Sequence, residues 1–90
     1  NLDAMHDYSY NIIKRKFTKK NKKRIRKYIK IGLEKEHDDL IFLYGMLLLN
    51  GFVFKQDEIK GMEYIKKAAD LGNQLANDIY NDMQETINDD

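Results

Sequence analysis

Apolar residues recur at helical spacing in five stretches of the chain, and no stretch alternates with the two-residue period of a strand. Leu2, Met5, Tyr8, Ile12 and Ile13 mark one face of a first helix over residues 2–16. Thr18 to Asn21 reads as a turn, with Asn21 as the N-cap of a second helix over residues 22–36 whose inner face carries Ile25, Tyr28, Ile29 and Leu33. His37, Asp38 and Asp39 break the pattern, and either aspartate suits the N-cap of a third helix over residues 38–50. That helix is apolar all round, as expected of an element packed on several sides. Asn50-Gly51 ends it.

The loop 51–57 carries Phe52, Val53 and Phe54, which are expected to tuck between helices. Asp57 then caps a fourth helix over residues 58–71, with Glu58 at the positive end of its dipole. Ala68 and Ala69 would let another helix approach closely, Gly72 ends the element, and Asn73 caps the next. The last helix bears a stripe of Leu75, Ala76, Ile79, Tyr80, Met83 and Ile87. The predicted fold class is all-α, five helices in the order A-B-A-B-A, with no strand candidate and no proline.

Sliding the chain on itself by 36 positions without gaps brings it into register. Tyr8 falls on Tyr44 and Tyr44 on Tyr80, while Tyr28-Ile29-Lys30 falls on Tyr64-Ile65-Lys66. Apolar positions follow, Ile12 on Leu48 and Leu47 on Met83 among them. Self-similarity at this period is the mark of stacked helix pairs. The expected organisation of residues 1–90 is one repeat over 2–37, a second over 38–73 and a terminal A helix over 74–88. Together they form a right-handed α-solenoid that would be a piece of a longer array, with a preceding repeat missing. Polar Asn77, Asp78, Asn81, Asp82, Gln84 and Glu85 would close its C-terminal end.

Residues 40–76 resemble the Sel-1-like repeat, a relative of the tetratricopeptide repeat. The family pattern is a Leu-Gly pair, then Gly-x-Gly-Val-x-x-Asp-x-x-Lys-Ala, then Trp-Tyr-x-Lys-Ala-Ala-x-x-Gly. At matching spacing this chain has Tyr44-Gly45, then Gly51, Phe54, Asp57 and Lys60, then Tyr64-Ile65, Lys67-Ala68-Ala69 and Gly72. It departs at Val53, where the second glycine belongs, at Gly61 for alanine and at Tyr64 for tryptophan. The preceding copy matches weakly, with Gly32, Leu33 and Glu36 in place of Ala-Ala and Gly. The resemblance implies a non-catalytic scaffold or adaptor that holds a protein or peptide partner on a concave face lined by the A helices. The residues it points to are His6, Tyr10, Phe42, Met46, Asp78 and Asp82.

Charge changes this picture. Residues 1–45 hold twelve Lys/Arg against six Asp/Glu, and residues 46–90 hold four against nine. The basic half centres on Lys14, Arg15, Lys16, Lys19, Lys20, Lys22, Lys23, Arg24, Arg26, Lys27 and Lys30, with Phe17 and Tyr28 interleaved. Most of this run reads as the solvated face of a B helix. An acidic protein partner is the first functional alternative, and a nucleic acid or an anionic membrane the second. A structural subunit of a large assembly is a third reading. Basic and acidic ends also admit head-to-tail association of copies.

Candidate chemistry is sparse. Without cysteine there is no thiolate or disulfide. His6-Asp7 and His37-Asp38 have no nucleophile at a recognisable spacing, and no Gly-rich phosphate cradle or calcium loop occurs. No enzyme activity, cofactor or metal is expected. The apolar run 40–49 is about half the length of a membrane span. With no signal-peptide pattern and no Asn-x-Ser/Thr acceptor, the expected location is intracellular and cytoplasmic.

Overall fold

The computed structural model describes residues 1–13 and 18–88, the side chains of residues 10–13 and 86–88 excepted. It contains five α-helices, α1 (Leu2–Ile13), α2 (Lys19–Glu34), α3 (Asp38–Asn50), α4 (Glu58–Asp70) and α5 (Gln74–Asn88), and no strand among the described residues. Each helix packs on the next in the chain, and α1 also touches α3. The long dimension is 42 Å against 23 and 19 Å for the other two. Two adjoining apolar clusters make the core. One gathers Ile25, Ile29, Leu40, Leu43, Tyr44, Leu47 and Leu48 between α2 and α3. The other gathers Ile41, Ile65, Ala68 and Ala76 where α3, α4 and α5 meet.

α1, α3 and α5 start at Leu2, Asp38 and Gln74, 36 positions apart each time, and α2 and α4 end 36 apart at Glu34 and Asp70. The ends of α2 and α4 are built alike. The Glu36 N–H donates to Leu33 O and the His37 N–H to Gly32 O, while the Gly72 N–H donates to Ala69 O and the Asn73 N–H to Ala68 O. Both ends place a residue in left-handed backbone to close this pattern, Glu36 at φ 51° and Gly72 at φ 100°. An exposed glutamate gains nothing from that conformation, which for an L side chain costs roughly 1–2 kcal/mol. Glu36→Gly is therefore expected to stabilise the chain by about 0.5–1 kcal/mol after the added freedom of the unfolded state is subtracted. In a thermal unfolding curve this is a rise of about 2–8 °C.

The caps correct two expectations. Thr18, not Asn21, is the N-cap of α2, its Oγ1 accepting from the Asn21 N–H, so the helix starts at Lys19. His37 caps α3, its Nδ1 accepting from the Leu40 N–H. Asp38 and Asp39 sit in the first turn of α3 and both accept from Asn73 Nδ2. That amide's Oδ1 in turn accepts from the Ala76 N–H and starts α5, as expected of Asn73. The cap at Asp57 and the left-handed Gly51 stand where the sequence puts them. Val53, at the position where the resemblance asks for glycine, takes φ 66°, the conformation glycine would supply.

Candidate partner-binding cleft

The helix pairs are pinned from their outer side by one recurring arrangement. Tyr8 meets Tyr28 edge-on at 5.6 Å between ring centroids, with the Arg24 guanidinium 5.4 Å from the Tyr8 centroid. In the next pair Tyr44 meets Tyr64 at 4.7 Å, with the Lys60 ammonium 5.9 Å from the Tyr44 centroid. Every member lies 36 positions from its counterpart. Hydrogen bonding to Tyr44 is the main reason the Lys60 ammonium sits above its ordinary pKa. The Tyr8 hydroxyl donates to Asn21 Oδ1, the role that residue takes instead of capping.

At the α3–α4 crossing the two backbones meet directly. A Cβ on Gly45 would lie 2.7 Å from Ile65 Cγ1 and 2.9 Å from the Gly61 carbonyl oxygen, and one on Gly61 would lie 2.9 Å from the Gly45 oxygen. Two facing glycines thus let the backbones touch. The sequence pattern pointed to Ala68 and Ala69 for close approach. Ala68 is fully buried, but the backbones of α3 and α4 approach at the glycine pair.

On the opposite side, α1, α3 and α5 enclose a cleft of about 460 Å³. Its floor is Leu43 and Leu47, its walls are Phe42 and Met46 of α3 with Leu75 and Ile79 of α5, and Phe52 stands at the mouth. His6 of α1, Asp39 and Asn50 supply its polar edge. Phe52 is half exposed rather than tucked between helices, because the turn after Gly51 directs it outward while Val53 and Phe54 pack on the core. Leu75, expected in the core stripe of α5, is 57% exposed. Among the described residues, no other helix covers that side of α5. Ala76, Ile79, Tyr80 and Met83 of the same stripe do pack inward.

Of the expected A-face residues, His6, Phe42 and Met46 come together in the cleft. Asp78 and Asp82 are exposed on α5, on the helical face that Leu75 and Ile79 occupy, but do not line it. Tyr10 belongs to α1, and its side chain lies outside the described residues. Sequence reasoning missed Phe52 and Leu75 as surface residues. The signal that could have found them was the helix spacing itself, which puts Leu75 on the α5 face shared with Asp78 and Asp82.

Charge is segregated by helix. α1, α3 and α5 contain no Lys or Arg and carry Asp3, Asp7, Asp38, Asp39, Asp78, Asp82 and Glu85. Among the described residues, every helical cation belongs to α2 or α4. Of the basic run, Lys19, Lys20, Lys23, Arg24, Arg26, Lys27 and Lys30 are exposed on α2 and Lys22 is half-buried there, whereas Lys14, Arg15, Lys16 and Phe17 lie outside the described residues. Arg26 reaches the Val53 carbonyl at 3.4 Å.

Asp3, His37 and Asp39 bring ligand-type atoms within 4.8 Å of one another. The imidazole of this group is already committed at both nitrogens. His37 Nδ1 accepts the helix-capping N–H, so the ring proton is on Nε2, which donates to Asp3 at 2.8 Å. Asp39 accepts from Asn73. A metal on Nε2 would need the proton moved to Nδ1 and the cap broken. No helix of the described residues is long and apolar enough to cross a membrane. Compared with known proteins, the chain matches no model of a protein family, no curated protein and no solved structure.

Proposed function

We propose that this chain is a non-catalytic interaction module, a stack of Sel-1-like helix pairs that holds a protein or peptide partner in the cleft between α1, α3 and α5. The stacking is supported by the 36-position recurrence of helix starts, helix ends and the tyrosine–cation–tyrosine arrangement. Contact of each helix with its chain neighbours is what a quasi-one-dimensional stack requires.

The observation that carries the binding reading is an apolar cleft whose lining holds no Lys or Arg. Met46, Phe42, Leu75 and Ile79 offer walls for apolar side chains above the Leu43–Leu47 floor, with methionine able to adapt to different shapes. Carboxylates at Asp39, Asp78 and Asp82 flank it. The partner that fits is an amphipathic segment with apolar anchors at helical spacing and lysine or arginine beside them. An acidic partner, the alternative drawn from the basic run, suits α2 and not this face.

The test uses a 16-residue amphipathic peptide of leucine and lysine, titrated calorimetrically into the full chain. Binding is expected, and Met46→Glu, which sets a carboxylate in the apolar wall, should weaken it at least tenfold, about 1.4 kcal/mol. The same peptide with glutamate for lysine should bind more weakly than the original. Equal binding of both peptides, or no effect of Met46→Glu in a folded variant, contradicts the proposal.

A further inference from the structure

We propose that the outer face of α2 is a second, separate site, binding the phosphate backbone of a nucleic acid through Lys20, Lys23, Arg24 and Lys27. These four residues and Tyr28 line a concave surface of about 270 Å³. Their spacing of three and four positions sets them in one stripe along about 10 Å of helix. Over that length one strand of a nucleic acid presents about three phosphates at 3.4 Å each.

The fold itself does not ask for this stripe. Sliding α2 onto α4 by 36 positions sets Lys20, Lys23, Arg24 and Lys27 on Gln56, Ile59, Lys60 and Glu63. Only the cation that covers a tyrosine ring recurs, Arg24 over Tyr8 and Lys60 over Tyr44. The other three lysines have no counterpart in a helix pair that packs the same way. The first turn of α2, like that of α5, has no acidic residue, and it holds Lys19, Lys20 and Lys22, whereas α1, α3 and α4 each have one or two acids there. Cations at the positive end of a helix dipole cost stability. A helix that keeps them there has another use for them. None of Lys20, Lys23 and Lys27 is in an ion pair among the described residues. Arg24 is held in place, its Nη1 3.5 Å from the Tyr8 hydroxyl and its guanidinium against that ring, which lowers the entropy lost on binding.

Phosphate backbone fits better than the other polyanions. A helix that lies in a membrane interface needs an apolar face free to enter it. The apolar face of α2, Ile25 and Ile29, is spent in the core, and among the described residues the exposed large apolar side chains Phe52, Ile59, Leu71 and Leu75 all lie on other elements. A peptide would need an apolar anchor that this lining of four cations and one half-buried tyrosine does not offer. Since Tyr28 is engaged edge-on with Tyr8, contact is to phosphate rather than to stacked bases, without sequence preference.

The experiment is fluorescence anisotropy of a labelled 20-nucleotide single strand and a 20-base-pair duplex titrated with the full chain. Two charge-matched variants are compared, Lys20→Glu/Lys23→Glu/Lys27→Glu and Lys55→Glu/Lys66→Glu/Lys67→Glu, with circular dichroism to verify folding. Three phosphate contacts predict that affinity falls about 20-fold for the single strand and about 40-fold for the duplex between 50 and 200 mM salt. The α2 variant is expected to lose at least tenfold in affinity at 50 mM salt and most of this salt dependence, while the second variant retains both. Equal loss in the two variants overturns the site. So does absence of nucleic-acid binding with binding to phosphatidylserine vesicles or polyglutamate instead, or salt-dependent self-association in light scattering that the α2 substitutions abolish.

Discussion

Replacing Tyr44 by alanine is expected to lower stability by about 3–5 kcal/mol, the range for truncating a large buried aromatic. Tyr44 is 7% exposed and sits where three elements converge. Its ring contacts Phe54 of the loop after α3 at 4.9 Å and Tyr64 of α4 at 4.7 Å, and the Lys60 ammonium lies over it. Alanine would leave a cavity between that loop and α4. A chain of this size has about 5–13 kcal/mol to lose in total. The expected fall in the thermal midpoint is about 15–30 °C. Tyr44→Phe keeps the ring contacts, so it should cost about 1 kcal/mol or less. It should also return the Lys60 pKa toward its ordinary value, since the hydroxyl that raises it is gone. An unmoved midpoint for Tyr44→Ala would mean that this ring does not join the second helix pair.

Gly45→Val is expected to cost about 2–3 kcal/mol by forcing α3 and α4 apart. The added Cβ would meet Ile65 Cγ1 at 2.7 Å and two backbone atoms, the Gly61 oxygen at 2.9 Å and the Ile65 nitrogen at 3.1 Å. Ile65 is fully buried, so its side chain has nowhere to turn, and backbone atoms yield only if a helix shifts. Valine recovers only a few tenths of a kcal/mol of helix propensity over glycine, too little to change the sign. Ser9, 36 positions earlier, is the control. It is fully buried, with its hydroxyl donating to the Met5 carbonyl, and the α1–α2 crossing already accommodates a side chain there. Ser9→Gly should therefore cost less than about 1 kcal/mol. Chemical denaturation of both variants would read the contrast, and equal effects would contradict a crossing held close by glycine.

Much of the helical order was legible because local chemistry fixes it. Gly51 and Gly72 adopt the left-handed backbone that ends α3 and α4, and Asp57 and Asn73 accept the N–H groups that start the next helices. The start of α2 was misjudged because Thr18 and Asn21 are both good caps, and a first turn of lysines looks like a poor helix start. At α3 the better cap formers, Asp38 and Asp39, are occupied by Asn73, a residue 34 and 35 positions away. Local propensity cannot register such a partner, so the cap fell to His37.

The pairing of Gly45 with Gly61 was hidden for the same reason, since each alone reads as a weak point inside a helix. At the cleft, Leu75 and Phe52 follow the pattern of core residues. Burial depends on whether a neighbour covers them, and periodicity records only the face. The segregation of cations onto α2 and α4 was present in the chain all along. It emerges only once helix boundaries tell which charges share an element, and the acidic and basic halves hid it.

Methyl-resolved NMR of the full chain, titrated with the leucine–lysine peptide, tests the account most directly. The predicted result is that signals of Met46, Leu47, Leu75 and Ile79 shift with peptide concentration while those of Ile25, Ile29 and Ile65 stay in place. Shifts confined to α2 and α4, or none at peptide concentrations up to about 1 mM, where binding amounts to only about 4 kcal/mol, would contradict a partner cleft on the α1–α3–α5 face.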